Sequence, residues 1–115
     1  MPTANDVYKA LKDGNFNTFW PTKAPAPLDA KCCVVSDSDA MTEFATDVLG
    51  YDYIDVDVCV PASRYGEMDA FLKSVLSRLK KVPGLRYNGI SSTWHDDDMR
   101  ASIRTVEFKV SKRHR

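Results

Sequence analysis

Two groups of aspartates come closest, by residue type and spacing, to a catalytic or metal-binding pattern. Asp55 and Asp57 alternate along a segment typical of a β-strand, so both carboxylates are expected on one face, as a pair or facing Arg100 and Arg104. Asp96–Asp98 are consecutive, so they cannot all converge on one ion without an unusual loop, and the EF-hand spacing is absent. Both patterns favour structural roles, as an exposed or charge-paired strand face and as a solvated turn.

Three cysteines and two histidines are the next candidates. Cys32, Cys33 and Cys59 fall in segments typical of strands, whereas His95 and His114 fall in a turn and a tail. A catalytic cysteine needs a base beside it, and a zinc site would need a second cysteine pair. The G-x-S-x-G, P-loop and G-x-G-x-x-G patterns are also absent. We therefore expect free packed thiols, no metal, no cofactor and no enzymatic activity.

Length and composition are typical of one globular domain. The 115 residues are 43% hydrophobic and 28% charged, which excludes a fully disordered chain. No apolar run approaches the roughly 20 residues of a membrane-spanning helix. Residues 1–14 contain no apolar signal core, so we expect neither membrane insertion nor secretion by that route.

The net charge of zero conceals two halves of opposite sign. Residues 1–60 hold four basic and ten acidic side chains, a balance of −6, and residues 61–115 carry the matching +6. Nucleic-acid binding needs a surplus of Lys and Arg over acidic residues, which a neutral chain lacks. Complementary charged surfaces on one protomer instead favour self-association.

The first half of the chain predicts a short helix, a proline-rich loop and a strand. Residues 5–13 have helical spacing, with Asn5 as the N-cap. Residues 15–29 contain three prolines within seven residues, which exclude a helix or a central strand. A strand is expected at 31–36, whereas the spacing of 37–50 fits a helix as well as a strand.

The middle of the chain carries the two clearest patterns. A long strand is expected over 51–60, and its two faces alternate strictly. The apolar face holds Ile54, Val56, Val58 and Val60, and the other face holds Tyr53, Asp55, Asp57 and Cys59. A helix over about 65–81, with Ser63 able to cap its start, shows one apolar stripe at helical spacing.

The last third predicts a hairpin with arms over 85–94 and 99–110 and a turn at 95–98. The apolar residues of the return arm change phase midway, which predicts a bulge near Arg104 and Thr105.

Together these elements predict a single α+β domain over 1–115, ending in a frayed basic tail at 111–115. We expect a mostly antiparallel sheet of about four to five strands, with the N-terminal helix and the long amphipathic helix packed on one face.

This order of elements resembles the tail terminator proteins of long-tailed bacteriophages, also called tail-to-head joining or tail completion proteins. The likeness covers nearly the whole chain and is one of pattern. The matching stretches are DVYKALK (6–12), KCCVVS (31–36), TEFATD (42–47), YIDVDVCVP (53–61), MDAFLKSVLSRL (68–79) and IRTVEFKV (103–110).

The resemblance implies a structural, non-enzymatic protein of the virion tail, made in the host bacterial cytoplasm. Such proteins form a ring, usually a hexamer, that caps the tail tube, stops tube polymerisation and joins the tail to the head connector. The implied partners are further copies of the chain, the major tail-tube protein and the head-completion protein, with DNA only passing through the lumen and no membrane contact. By this analogy the candidate lumen or interface residues are Tyr53, Asp55, Asp57, Arg100 and Arg104.

Two other functions stay open from the sequence. A small RNA-binding α+β module would use the basic residues 112–115, although Asp55 and Asp57 beside Tyr53 would repel phosphate. A hydrolase or metal enzyme would use Asp55, Asp57 or Asp96–Asp98.

Overall fold

A mixed sheet with both α-helices on one face forms the protein, as a computed structural model shows for residues 2–37 and 51–111. Six strands lie in the order β1-β2-β3-β6-β4, and β5 also pairs with β6; β1 and β2 are parallel and the other pairs antiparallel. The predicted α+β class is confirmed. The elements are α1 (Ala4–Asp13), β1 (Thr18–Phe19), β2 (Cys32–Asp37), β3 (Tyr51–Pro61), a 3-10 segment (Ala62–Glu67), α2 (Met68–Leu79), β4 (Arg86–Ile90), β5 (Trp94–Asp96) and β6 (Ala101–Ser111).

Helix α1 begins one residue before the expected position because its N-cap is Thr3, so the prediction of Asn5 was wrong. The Thr3 hydroxyl accepts a hydrogen bond from the Asp6 amide at 3.3 Å, and the Asp6 carboxylate accepts one from the Thr3 amide at 2.9 Å. This reciprocal capping box satisfies two backbone donors that the first helical turn would otherwise leave unpaired.

Strand β3 forms the centre of the main core. Its predicted apolar face is buried beneath both helices, so the alternation of the sequence is confirmed. The residues that pack there include Val7 and Leu11 of α1, Met68, Leu72, Val75 and Leu79 of α2, and Ile54, Val56, Val58 and Val60 of β3.

The single long helix expected after β3 is divided in two. Ala62–Glu67 form a 3-10 segment in which Arg64 departs from helical dihedrals (φ −120°, ψ 30°), and α2 follows over Met68–Leu79. Ser63 lies inside the 3-10 segment and does not cap α2, whose N-cap position, Glu67, makes no side-chain cap hydrogen bond.

The predicted bulge near Arg104 and Thr105 was wrong. β6 pairs with β3 in one uninterrupted register from Ala101 to Ser111. The apolar phase changes because the two halves of β6 bury opposite faces: Ala101 and Ile103 pack into a second, smaller core, and the later apolar residues pack beneath the helices. A regular strand flanked by a core on each face produces the same sequence pattern as a bulge.

The second core lies beneath the proline-rich segment. Leu28 covers Cys32, Cys59, Ala101 and Ile103, and its amide donates a hydrogen bond to the Met99 carbonyl. Residues 15–29 also contain the two-residue β1, which pairs with β2 at the sheet edge. Trp20 stacks on Tyr8 of α1 with ring centroids 4.4 Å apart. The segment therefore contacts both sides of the sheet at this edge, with Trp20 on the helix side and Leu28 over the second core.

The predicted hairpin is present in an altered form. Its first arm is two short strands, β4 and β5, that pair in turn with β6. The register shifts by one residue at Tyr87/Gly89 within β4, and by one more between Ile90, opposite Val106, and Trp94, opposite Ile103. His95 and Asp96 belong to β5, so the turn comes later than expected, at residues 97–100. The open choice for 37–50 and the tail prediction for 111–115 concern mainly residues outside the described ranges, although Asp37 ends β2 and Ser111 ends β6.

Candidate protein-interaction surfaces

A strip of carboxylates and one tryptophan lies on the sheet face opposite the helices. We call Trp94, Asp55, Asp57, Thr105 and Glu107 the acidic strip. The register sets Glu107 opposite Asp55, Thr105 opposite Asp57, and Trp94 opposite Ile103, so all five side chains share one face. Like charges directly opposite each other on neighbouring strands repel. Lys109, opposite Tyr53, lies on the same face and comes next after Glu107 along it, so a cation of the same chain borders the strip.

Hydrogen bonds hold the strip in a defined arrangement. The Trp94 indole donates to the Thr105 hydroxyl at 3.4 Å, and that hydroxyl donates to the Asp57 carboxylate at 2.7 Å. Burial raises the pKa of Asp57, the Thr105 hydrogen bond opposes this rise, and the charge of Asp55 adds to it. The Asn88 amide donates to the Glu107 carboxylate at 2.7 Å. Trp94 remains 42% exposed, so the strip ends in an accessible aromatic surface.

The two candidate arginines do not lie opposite the aspartates. Arg104 pairs with Val58, which belongs to the helix-covered face, and its guanidinium Nε donates to the Ser91 carbonyl at 3.1 Å. Arg100 precedes β6 in a left-handed conformation (φ 52°), and its carbonyl accepts a hydrogen bond from the Ala62 amide. Of the two alternatives for Asp55 and Asp57, the one in which they face these arginines is wrong, because Arg104 lies on the opposite face of β6 and Arg100 precedes the strand.

The three thiols are buried and unoxidised, as expected. Cys32 and Cys59 lie directly opposite each other in the second core, whereas Cys33 packs in the main core. Burial raises the pKa of the Cys33 thiol, and the hydrogen bond to Cys32 together with burial raises that of Cys59. These thiols therefore act as small core side chains.

The histidine and aspartates at the β5–β6 turn have structural contacts. Asp96 accepts hydrogen bonds from the Asp98 and Met99 amides at 2.9 and 3.1 Å, which shapes the turn. His95 Nδ1 and the Ser102 hydroxyl are 3.0 Å apart, and the imidazole ring lies edge-on to Tyr65. Within residues 2–37 and 51–111, no group of three metal-ligating side chains converges. None of the helices in those ranges is long and apolar enough to cross a membrane.

An open groove between α2 and β4 is a surface that the sequence did not predict. We call it the lysine-rimmed groove; its volume is about 530 Å³ and its lining includes Lys73, Leu76, Lys80, Leu85, Tyr87 and Phe108. Tyr87 is 54% exposed and meets Phe108 edge-to-face, with ring centroids 6.4 Å apart. Exposed aromatic surface rimmed by polar groups marks interaction sites. The sequence signal for this groove was the apolar residues beside the buried stripe of α2. Spacing alone cannot distinguish such residues from core residues.

The two surfaces lie on opposite sides of the sheet. Phe108 and Tyr87 share the helix-covered face, whereas Glu107, the neighbour of Phe108, belongs to the acidic strip. One protomer thus presents carboxylates, Lys109 and an exposed tryptophan on one side, and an apolar groove with lysines on the other.

No protein-family model matches this chain, and no curated protein sequence matches it. The likeness to tail terminator proteins stays a prediction.

Proposed function

We propose that this protein is a structural subunit of the tail terminator kind, which assembles into a ring on the end of a phage tail tube. The observation that carries the proposal is that the two sides of the sheet present different surfaces, with the acidic strip and its neighbour Lys109 on one face and the lysine-rimmed groove on the other. The chain would act in the virion tail, with the tail-tube and head-completion proteins as partners.

Opposite surfaces of complementary chemistry suit a ring. In a head-to-tail contact two different patches of the same protomer meet, and repetition closes a ring when the rotation allows it. Electrostatic complementarity steers such an encounter and selects the correct partner surface.

The alternative of an RNA-binding module is less well supported. RNA-binding sheets stack bases on strand aromatics among Lys and Arg. Here the open sheet face sets Tyr53 on the same strand face as Asp55 and Asp57, and these carboxylates repel phosphate. Binding of single-stranded RNA at low salt would favour this alternative over the ring.

The ring proposal is tested by the association state of the purified protein. We expect oligomers in light scattering and rings in negative-stain images, either alone or after addition of the cognate tail-tube protein. A chain that stays monomeric over a wide concentration range, and that neither binds tube ends nor limits tube length, would contradict the proposal.

A further inference from the structure

We propose that the outer edge of strand β4 and the lysine-rimmed groove together form a binding site for an extended acidic peptide segment of another protein. The segment pairs with β4 as an added strand. One apolar side chain lies against the groove floor, and a carboxylate two residues away on either side meets the lysines. This inference goes beyond the proposed function and does not rest on it.

Strand β4 forms one edge of the sheet. Within residues 2–37 and 51–111 it ends the strand order and pairs only with β6, whereas the opposite edge, β1, has two residues and lies within the proline-rich segment. Residues Arg86–Ile90 contain no proline, which would remove a backbone donor. The backbone groups along such an edge are a template for a strand of another chain. β4 therefore offers ladder hydrogen bonds to a partner.

The alternation of the ladder shows which backbone groups of β4 point outward. The Ser91 amide donates to the Thr105 carbonyl, so Thr105 directs its backbone groups toward the side of β4. Lys109 is four residues further along β6 and directs its groups to the same side, where it faces Arg86. The next residue, Tyr87, therefore points its N–H and C=O away from β6, beside the groove. The register shift falls after Tyr87 and leaves this direction unchanged.

The groove beside this edge is apolar and carries two cations. Leu76, Tyr87 and Phe108 are apolar lining residues, and Lys73 and Lys80 are exposed at the rim. Within residues 2–37 and 51–111, neither lysine makes an ion pair or a hydrogen bond through its side chain. A partner that brings an apolar side chain to the floor and carboxylates to the rim buries this surface without burying an unpaired charge.

Two carboxylates on the elements around the groove leave its rim cationic. Asp69 lies one turn before Lys73 on α2, and Asp52 lies opposite Val110, on the same sheet face as Phe108. Both are exposed, and neither belongs to the groove lining or forms an ion pair with a lysine of the described ranges. Acidic side chains of a partner therefore complement the charge of the rim.

The spacing of the two lysines specifies the peptide. Lys80 is the C-cap of α2, seven residues after Lys73, which corresponds to roughly 10 Å along the helix. In an extended chain, side chains four residues apart lie on the same face and are separated by roughly 13 Å. The long lysine side chains span this difference. A Glu-x-Leu-x-Glu segment paired with β4 therefore brings its leucine to Tyr87 and its carboxylates to the two lysines.

Fluorescence anisotropy with a labelled synthetic peptide, Ser-Glu-Thr-Leu-Thr-Glu-Ser, tests the site on the whole chain. We expect saturable binding with a Kd below about 1 mM. Binding should weaken at least tenfold, equivalent to about 1.4 kcal/mol, when both glutamates of the peptide are replaced by lysines. The groove variant, Lys73→Glu with Lys80→Glu, should reverse this preference. Lys9→Glu with Lys23→Glu makes the same charge change at exposed positions outside the groove lining and should leave binding of the acidic peptide unchanged.

Methylation of the peptide backbone separates strand pairing from charge attraction. Two forms of the acidic peptide carry N-methyl groups on alternate amides, one form on the odd-numbered residues and the other on the even-numbered residues. A strand that pairs along one edge uses only one of these sets, so one form should bind at least tenfold more weakly than the other. When the unmethylated peptide binds, the Tyr87 amide should exchange its hydrogen more slowly in NMR measurements, because it gains an acceptor.

The results decide whether this edge binds a peptide of another protein. No binding of the acidic peptide, or binding that the groove variant leaves unchanged, overturns the site, and equal binding of the two methylated forms overturns strand pairing. Self-association of the chain that the peptide competes away makes a second copy the occupant and overturns the assignment to another protein. Circular dichroism establishes that each variant is folded; if the groove variant is not, the lysine peptide and the methylated forms decide the question on the wild-type chain.

Discussion

Truncation of Ile103 tests whether the open face of the sheet carries a real second core. Ile103 is 2% exposed and lies among Leu28, Cys32, Cys59 and Ala101. Replacing a fully buried isoleucine by alanine costs about 2–5 kcal/mol. The cluster is small and its cover is a loop that can settle into the vacated space, so we expect a loss of about 2–3 kcal/mol in the free energy of unfolding.

A double-mutant cycle identifies which face Ile103 occupies. Leu28 belongs to the same cluster, so the combined changes Leu28→Ala and Ile103→Ala should couple by at least about 0.5 kcal/mol. Val56 is equally buried but belongs to the core beneath the helices, so Val56→Ala with Ile103→Ala should be additive within about 0.5 kcal/mol. Urea unfolding followed by circular dichroism measures all of these values.

Two outcomes would refute a sheet with a separate core on each face. If β6 contained a bulge, Ile103 would join the helix-covered face, and its truncation would couple to Val56 and not to Leu28. A loss below about 1 kcal/mol for Ile103→Ala would likewise contradict full burial, because half-exposed side chains lose much less on truncation.

Three further predictions concern a cap, a carboxyl group and the assembly. Thr3→Ala removes the capping box and should lower the free energy of unfolding by about 1 kcal/mol, as measured by urea unfolding. Thr22→Ala is the exposed control, and an equal effect of the two changes would contradict the cap. Because burial raises the pKa of Asp57 above its ordinary value of 3.8, the folded state binds a proton more tightly than the unfolded chain. Wild type should therefore lose stability relative to Asp57→Asn as the solution is brought from about pH 3 to pH 7. If the difference in free energy of unfolding between the two proteins, measured by urea titration, stays constant over this range, the pKa of Asp57 is not raised. Self-association should weaken as salt rises from about 50 to 500 mM, since screening shortens the reach of the charges; light scattering that does not change with salt would mean that apolar contacts alone hold the assembly.

Local patterns in the chain were sufficient for several elements. β3 alternates with period two and α2 has one apolar stripe, and each of these regularities depends only on residues close in sequence. The structural role of Asp96 also followed from a local rule, since a short polar side chain bonds to backbone amides a few residues ahead. The threonine cap of α1 was equally local, as Thr3 and Asp6 form a recognisable capping box, and was overlooked in favour of Asn5.

Only the tertiary structure shows which residues of β6 lie on each face of the sheet and which residues form the two interaction surfaces. The sequence by itself determined an α+β domain with one long alternating strand, one amphipathic helix and buried thiols, because burial of periodic apolar residues demands those elements. The sequence could not determine which strands are neighbours in the sheet or in which register they pair. The register of β3 against β6 joins residues about 50 positions apart, and this register sets Glu107 and Thr105, not an arginine, opposite Asp55 and Asp57. The groove depends likewise on α2 lying beside β4, a packing that no local pattern specifies.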